Sequence, residues 1–259
     1  MKKQKNTVKV IPFLVLLVLL VLLALWFLVS YYELVPSFML PSPQAVLRAF
    51  WTDRVLLLNH LKVTMLEALV GLSIGVLLGF ICALAMDRFR LVKEALYPLL
   101  VLTQTVPTVA IAPLLVLWLG YGLLPKITLV VIVTFFPIAM NLYQGFQGAD
   151  KDSLLLLQAM GANRLDLFRY VKWPMSLTSF FAGLKISTSY ALVGAVIAEW
   201  LGGYAGLGVY MTKVKKSYSF DKMFAVIVFI SIISYLCLLL VQWLEKKSMP
   251  WKKGEKHEL

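Results

Sequence analysis

Charged side chains inside long apolar stretches are the first candidates for chemistry in this sequence. They are Glu67, Lys185 and Glu199. A charge at the middle of a membrane costs about 2.5–3.5 kcal/mol on insertion scales, so it normally faces a bundle interior or water. Glu67 and Glu199 fit a solute path or an internal ion pair, and they equally fit positions near the membrane interface. Lys185 lies near the start of its apolar stretch, which favours a side chain that extends back to the interface.

Uncharged polar residues form a second group, at Gln104, Thr105 and Asn141. In lipid such groups need hydrogen-bond partners, so they should face inward. Interhelical hydrogen bonding is the simpler interpretation, and lining a translocation pathway is the other. Pro107 and Pro113 free backbone carbonyls, and such breaks either surround transport paths or act as packing kinks.

Enzymatic and metal chemistry have little support in the sequence. Cys82 and Cys237 lie inside apolar stretches and fit small core residues, while His60 and His257 are isolated. We find no cluster of His, Cys, Asp or Glu that a membrane-embedded enzyme would need. The phosphate-binding pattern G-x-x-x-x-G-K-[ST] is also absent. We therefore expect no metal, no catalytic residue and no cofactor in this chain.

The elements that must position these residues are membrane-spanning helices. The 259 residues are 61% hydrophobic and only 15% charged, whereas a soluble domain is about half apolar and a quarter charged. The mean hydropathy of +0.85 fits a chain that exposes apolar side chains to lipid. The net charge of +12 lies between the apolar runs, so membrane orientation explains it better than nucleic-acid binding.

The apolar runs predict an all-α polytopic membrane protein with about six transmembrane helices. Residues 1–32 form an N-terminal tail and first span, and residues 33–62 an external segment with an interfacial helix at 44–58. Residues 63–248 form the core and residues 249–259 a tail. Gly71, Gly75 and Gly79 recur every fourth residue, which lets another helix approach closely. The predicted spans cover residues 11–32, 63–86, 95–120 (broken by prolines), 127–146, 177–201 and 223–244.

Lysine and arginine indicate the orientation. Six spans place both termini on one side, and that side carries about twice as many Lys and Arg residues as the other. The bias predicts cytoplasmic termini, although the lysines between residues 213 and 222 run against it. The connection at residues 202–222 is predicted to be a loop, and its first part, residues 202–208, is a candidate gate, a docking surface or a simple tight turn.

The cytoplasmic connection at residues 147–176 is more than a simple linker. Residues 154–160 favour a helix, Gly161 can end it, and Asn163 can cap a second short helix at 164–172, before Pro174 starts the next span. On that helix Leu165, Phe168 and Lys172 would share one face. Two short helices at right angles predict a projection that can seat in a groove on a cytoplasmic partner.

These residues resemble the cytoplasmic loop signature of bacterial ABC importer permeases, E-A-A, three residues, G, nine residues, I-x-L-P. Gly161, Val171 and Pro174 match it, and the segment from Gly161 through Ala162, Asn163 and Arg164 to Phe168 is similar. The E-A-A positions hold Leu155, Leu156 and Leu157 instead, so the bracing that the family's Glu provides is missing. The resemblance implies a type I ABC importer permease (MetI-like) fold and a coupling role for residues 161–174, Leu165 included.

Other segments resemble the branch that imports nitrate, sulfonates, taurine and thiamine precursors. They are residues 39–43, 104–122 and 198–208. The sequence of residues 104–122 most resembles that of permeases for the pyrimidine precursor of thiamine. Membership implies a second permease copy, a cytoplasmic ATPase dimer that holds ATP and Mg, and an external solute-binding protein. The implied mechanism is ATP-driven alternating access in the cell membrane. An ion-coupled secondary transporter is the competing class, but we see no internal repeat of the kind common there.

Overall fold

The computed structural model describes residues 2–253, with side chains at residue 14 and from residue 16 onward. Within that range the chain is all-α, as expected, and holds no strand. The last residues of the predicted tail, including His257, lie outside the described residues. The helices are α1 (Lys2–Tyr31), α2 (Pro43–Thr52), α3 (Arg54–Arg88), α4 (Arg90–Thr103), α5 (Thr108–Leu119), α6 (Leu123–Gln147), α7 (Lys151–Ala159), α8 (Arg164–Leu167), α9 (Trp173–Gly202), α10 (Leu207–Lys216) and α11 (Phe220–Ser248).

Among the described residues, four helical stretches are long and apolar enough to cross a membrane: α3, α6, the continuous stretch Arg164–Gly202, and α11. Helices α4 and α5 together form a fifth, bent by 102° at the break between them. The break contains Pro107, as the proline pattern predicted, because proline disfavours helical geometry in the residue before it. The first predicted span corresponds to α1, whose described apolar part is Leu16–Tyr31.

Three predicted boundaries are wrong. The interfacial helix ends at Thr52, not at residue 58, and α3 begins at Arg54 rather than at residue 63. Only Asp53 separates the two helices, and no Pro or Gly after it interrupts the start of α3. The connection left between the predicted spans 63–86 and 95–120 contracts to Phe89, the one residue between α3 and α4. The connection 202–222 contains the helix α10. Its lysines gave this segment a loop-like composition, but they lie in the last turn of the helix, where positive charge is favourable.

The first of two compact units comprises residues up to Leu58 together with Met211–Phe229. Ser42 caps α2 by accepting a hydrogen bond from the Ala45 N–H at 3.2 Å. Val46, Ala49 and Ala225 form a small buried core. The Trp26 indole N–H donates to the Pro41 carbonyl at 3.1 Å, which ties α1 to the chain before α2.

The second unit comprises Asn59–Tyr210 and Ile230–Leu259, and its core confirms the predicted close approach along the glycine stripe of α3. A Cβ on Gly75 would lie 2.1 Å from Thr134 Oγ1, and one on Gly71 would lie 2.5 Å from Val130 Cβ. The absent side chains therefore allow α3 to pack directly on α6. Helices α6 and α9 form the most extensive pair, where the Ser187 hydroxyl donates to the Thr134 carbonyl at 2.8 Å.

Candidate functional site

The loop between α6 and α9 begins with a well-capped helix. Asp150 accepts a hydrogen bond from the Ser153 N–H at 3.0 Å and caps α7. Hydrogen bonds from the Ser153 side chain and backbone lower the pKa of Asp150 below its ordinary value. At the other end Gly161 adopts φ +85°, and the N–H groups of Gly161 and Ala162 bond to the carbonyls of Gln158 and Leu157 at 2.9 and 3.0 Å. This geometry is the glycine cap that the sequence predicted.

Asn163 starts the next helix, also as predicted. Its Oδ1 accepts hydrogen bonds from the N–H groups of Leu165 and Asp166 at 2.9 and 3.0 Å. Asp166 reciprocates by accepting from the Asn163 N–H at 3.0 Å, so the two side chains form a capping box. The spacing of an Asn and an Asp three residues apart was a signal for this reciprocal bond, and sequence reasoning missed it.

The second short helix does not exist as a separate element, and this prediction is wrong. After α8 the chain forms a π-helical turn over Phe168–Lys172 and continues without a break into α9. The Trp173 N–H bonds to the Phe168 carbonyl, five residues back, as π-helical geometry requires. Pro174 lies in the first turn of α9, and its missing N–H removes one regular helical bond from this turn.

The π-turn directs the predicted coupling residues to different surroundings. Phe168 packs against Phe146 and Trp173, with ring centroids 5.5 and 6.4 Å away, and Val171 is buried. Lys172 Nζ lies 2.8 Å from both carboxylate oxygens of Asp87 on α3. The expected common face of Leu165, Phe168 and Lys172 is therefore divided, since Leu165 is 71% exposed.

The exposed part of the loop mixes polar and apolar side chains. Ala162 and Pro174 are half-buried, and Gly161, Asn163 and Arg164 are exposed. Tyr170 in the π-turn and Met175 in α9 are also exposed, and four large hydrophobic side chains are exposed before them: Leu155, Leu156, Met160 and Leu165. Two of these leucines occupy positions of the E-A-A triplet. We call this group of four side chains the loop patch.

A buried ion pair joins α3 to α6. Lys126 Nζ lies 2.7 Å from Glu67 Oε1, and the two side chains are 5% and 0% exposed. Lys126 was expected in the external link, but it lies in the first turn of α6 and is buried. Glu67 is fully inside the protein, and its Oε2 has no partner among the described residues. Of the alternatives for Glu67, the internal ion pair is the one that the geometry shows.

Glu199 is buried beside the turn between α9 and α10, and it fixes that turn. Its Oε1 accepts a hydrogen bond from the Thr64 hydroxyl at 2.7 Å, and its Oε2 accepts from the Gly208 N–H at 2.6 Å. His60 Nδ1 accepts from the Gly206 N–H at 2.9 Å, and Thr64 Oγ1 from the Leu207 N–H at 2.9 Å. Three successive backbone N–H groups are thus bound by side chains. We call His60, Thr64, Glu67, Lys126 and Glu199 the buried polar cluster.

The remaining candidate pathway residues separate. A cavity of about 440 Å³ lies at the α4–α5 break, against α6 and α9, and Gln104 and Pro107 line it. Thr105 donates its hydroxyl to the Leu102 carbonyl at 2.8 Å, and the Asn141 amide donates to the Pro137 carbonyl at 2.8 Å. Both bonds reach back only three or four residues along the chain. The six residues proposed for a path therefore occupy the cavity, the α4–α5 break beside it (Thr105), the buried polar cluster and a position within α6 (Asn141).

Lys185 pairs with Glu245 of α11 and remains 32% exposed along its side chain. Cys82 and Cys237 are free. In the part of the chain that the structure describes, no three His, Cys, Asp or Glu residues are placed to hold a metal ion.

Membrane-spanning helices, a capped loop with exposed apolar side chains and an open cavity at a broken span are typical of membrane transport subunits. Residues 75–249 match the family described as the binding-protein-dependent transport system inner membrane component, and the chain belongs to that family. It is the multi-pass permease subunit of an ABC importer, with the type I (MetI-like) fold.

Two relatives illustrate the branch. The formylaminopyrimidine transport permease protein ThiX of Halalkalibacterium halodurans is 36% identical over 84% of this chain and 88% of its own length. The taurine transport system permease protein TauC of Escherichia coli is 30% identical over 87% of this chain and 85% of its own. The chain is thus similar to permeases of the branch that residues 39–43, 104–122 and 198–208 indicated.

Solved structures support the fold. A chain of an amino acid ABC transporter matches with a TM-score of 0.61 and 17% identity, over 78% of this chain and 96% of its own. A chain of the inward-facing methionine transporter MetNI matches with a TM-score of 0.58 and 18% identity, over 79% of this chain and 96% of its own.

Proposed function

We propose that this permease docks on a cytoplasmic ATPase through its loop patch and imports a thiamine-type pyrimidine by ATP-driven alternating access. The observation that carries the docking proposal is the exposure of four large apolar side chains on this capped loop. Leu155, Leu156, Met160 and Leu165 are each more than 60% exposed. Exposed apolar side chains gathered on one surface are typical of protein interfaces.

The loop is built to transmit force to the membrane bundle. The π-turn continues directly into α9, so movement of Leu165 is passed to a span through continuous helix, whereas Leu155, Leu156 and Met160 lie before the Gly161 turn. Phe168 anchors the loop on Phe146 of α6, and Lys172 anchors it on Asp87 of α3. In this proposal Gly161, Asn163 and their neighbours shape the loop, whereas Leu165 belongs to the contact surface.

The assembly contains two copies of this permease, an ATPase dimer that holds ATP and Mg, and an extracytoplasmic solute-binding protein. A cytoplasmic loop patch places both termini in the cytoplasm, in line with the distribution of Lys and Arg. Purification of the tagged permease with its ATPase, followed by mass measurement of the intact complex, tests the stoichiometry. Two different permeases in one complex would contradict the homodimer.

The solute in this proposal is an uncharged pyrimidine related to the thiamine precursor. Support comes from the formylaminopyrimidine permease among the relatives and from the resemblance of the sequence at residues 104–122 to permeases for this precursor. Aliphatic sulfonate, taurine or nitrate import is the second candidate, since the relatives include a taurine permease.

The test is uptake into proteoliposomes that contain the permease, its ATPase and its binding protein. We expect uptake of labelled hydroxymethylpyrimidine only with ATP inside and with both partners present. Uptake of taurine with no uptake of pyrimidine would replace the solute. Uptake driven by an ion gradient without any ATPase would instead identify a secondary transporter.

A further inference from the structure

The cavity at the α4–α5 break combines polar and aromatic groups without a charge. Its walls carry the Gln104 amide, the Thr108 hydroxyl and the aromatic rings of Phe136 and Tyr190. None of the described residues that line it is an Asp, Glu, Lys, Arg or His. Its volume of about 440 Å³ lies in the ordinary range for small-molecule sites.

The position of the cavity is set by the break in the α4–α5 span. Gln104 follows the last residue of α4, and Thr108 is the first residue of α5. The first N–H groups of a helix lack intrahelical partners, so the start of α5 offers donors beside the Gln104 amide. Gly194 lets the α9 wall pack closely on the α6 wall, because a Cβ there would lie 3.1 Å from Val133 Cγ2.

The residues that line the cavity offer little stabilisation for an anion. A sulfonate or nitrate that leaves water needs a cationic partner or several charge-assisted hydrogen bonds. The N terminus of α5 supplies only about half a positive charge, and no Lys or Arg is among the lining residues. A neutral ring avoids this cost, since its faces can pack on aromatic side chains and its ring nitrogens can bond to an amide.

We infer that this cavity is a solute-binding site within the permease itself, selective for an uncharged, planar nitrogen heterocycle over an anion. This inference rests on the proposed import function and assigns the membrane subunit a share of the selectivity. Gln104 bonds to the ring nitrogens or amino group, and the rings of Phe136 and Tyr190 pack against the faces of the solute. The hydroxyl of Tyr190 is a secondary contact.

Thiol protection tests occupancy separately from transport. In the complete complex, Cys82 and Cys237 are replaced by Ala, and Val193→Cys, an exposed lining position that leaves Gln104 in place, is labelled with a maleimide in the presence of hydroxymethylpyrimidine or taurine. We expect the pyrimidine to slow labelling several-fold and taurine to leave it unchanged. The control is Leu102→Cys, an exposed α4 position that does not line the cavity, and its labelling should not respond.

The outcomes separate the site from the function. Equal protection by taurine, or no protection by either solute, overturns the site. A Val193→Cys thiol that stays unreactive without solute shows that a second copy or lipid covers the cleft, and it also overturns the inference. Protection by pyrimidine in a complex that shows no ATP-dependent uptake would leave the site standing and refute the proposed function.

Transport kinetics supply the second readout. We expect Tyr190→Ala to raise the KM for pyrimidine uptake about three- to tenfold, as loss of one aromatic contact implies. Tyr190→Phe keeps the ring and should change KM little. An unchanged KM in Tyr190→Ala and in Gln104→Leu, with wild-type uptake intact, would refute the site while the import function stands.

Discussion

The carboxylate of Glu199 occupies the space that a side chain at position 206 would need. Gly206 has φ +126°, and a Cβ built there would lie 2.1 Å from Glu199 Oε1. The same carboxylate accepts the Gly208 N–H, so the turn wraps closely around it. A glycine in this turn and a carboxylate on α9 are therefore one structural unit, although seven residues separate them in the sequence.

Gly206→Ala should destabilise the protein more than a glycine substitution in open space. The added Cβ meets both an unfavourable φ, worth about 1–3 kcal/mol of strain, and the Glu199 carboxylate. Gly122→Ala is the matched control, because Gly122 has φ +132° and nothing within 4 Å of the added Cβ. Thermal unfolding of the purified variants in detergent measures the difference, and equal melting temperatures would contradict this account.

Breaking the Glu67–Lys126 pair should be strongly destabilising. Lys126→Met leaves the Glu67 carboxylate buried without its cation, and removal of one partner of a buried pair costs about 3–5 kcal/mol. The double variant Glu67→Gln, Lys126→Met removes both charges and should recover part of the loss. Denaturant or thermal unfolding in detergent measures both effects.

The control for this pair is the exposed ion pair of Arg90 and Glu94 on α4, whose side chains are 89% and 55% exposed. Glu94→Gln should change the unfolding free energy by less than about 1 kcal/mol. A double variant of Glu67 and Lys126 no more stable than Lys126→Met would show that the ion pair is not the cause.

The parts of the site that sequence predicted are those fixed by local chemistry. Gly161 and Asn163 act on N–H and carbonyl groups within a few residues of themselves, so residue type and spacing were sufficient. The glycine stripe of α3 was predictable for a similar reason, since its period marks one helix face. The inward packing of Phe168 was not predictable, because the π-turn before Pro174 changes which side chains face the bundle.

The buried polar cluster could not be predicted from sequence because its contacts are long-range. His60 bonds to Gly206, and Thr64 bonds to Glu199, across more than a hundred residues. Only packing of α3 against α6 and α9 brings these groups together. Lys126 and Glu199 each stand alone at the end of an apolar run in the sequence, which signals a special environment. The sequence does not show which distant residues they contact.

Acid should weaken α7 through its cap. The pKa of Asp150 lies below its ordinary value of 3.8 because Ser153 bonds to the ionised carboxylate. A lowered pKa means that the cap's contribution is complete above pH 3.8 and is lost as pH falls through the lower folded value. Hydrogen exchange of Lys151–Ala159, corrected for intrinsic rates, should show this loss. Asp150→Asn retains a capping oxygen without the titration, so its α7 protection should not respond to acid, and an identical response would contradict the assignment.

Substitutions in the loop patch and at Phe168, which anchors the loop, should have different effects. Leu165→Asp places a charge on an exposed apolar contact, so we expect a stable permease that loses ATPase binding and transport. Phe168→Ala removes packing against Phe146 and Trp173, and loss of a buried Phe costs about 3–5 kcal/mol, somewhat less here because Phe168 is only half-buried. Its first effect should therefore be a lower melting temperature.

Leu91→Asp, at an 81% exposed position outside the loop, is the control for an added surface charge. Co-purification with the ATPase, ATP-dependent uptake and thermal unfolding are measured for all three variants. Normal ATPase binding by Leu165→Asp, or equal loss with Leu91→Asp, would remove the loop patch as the docking surface.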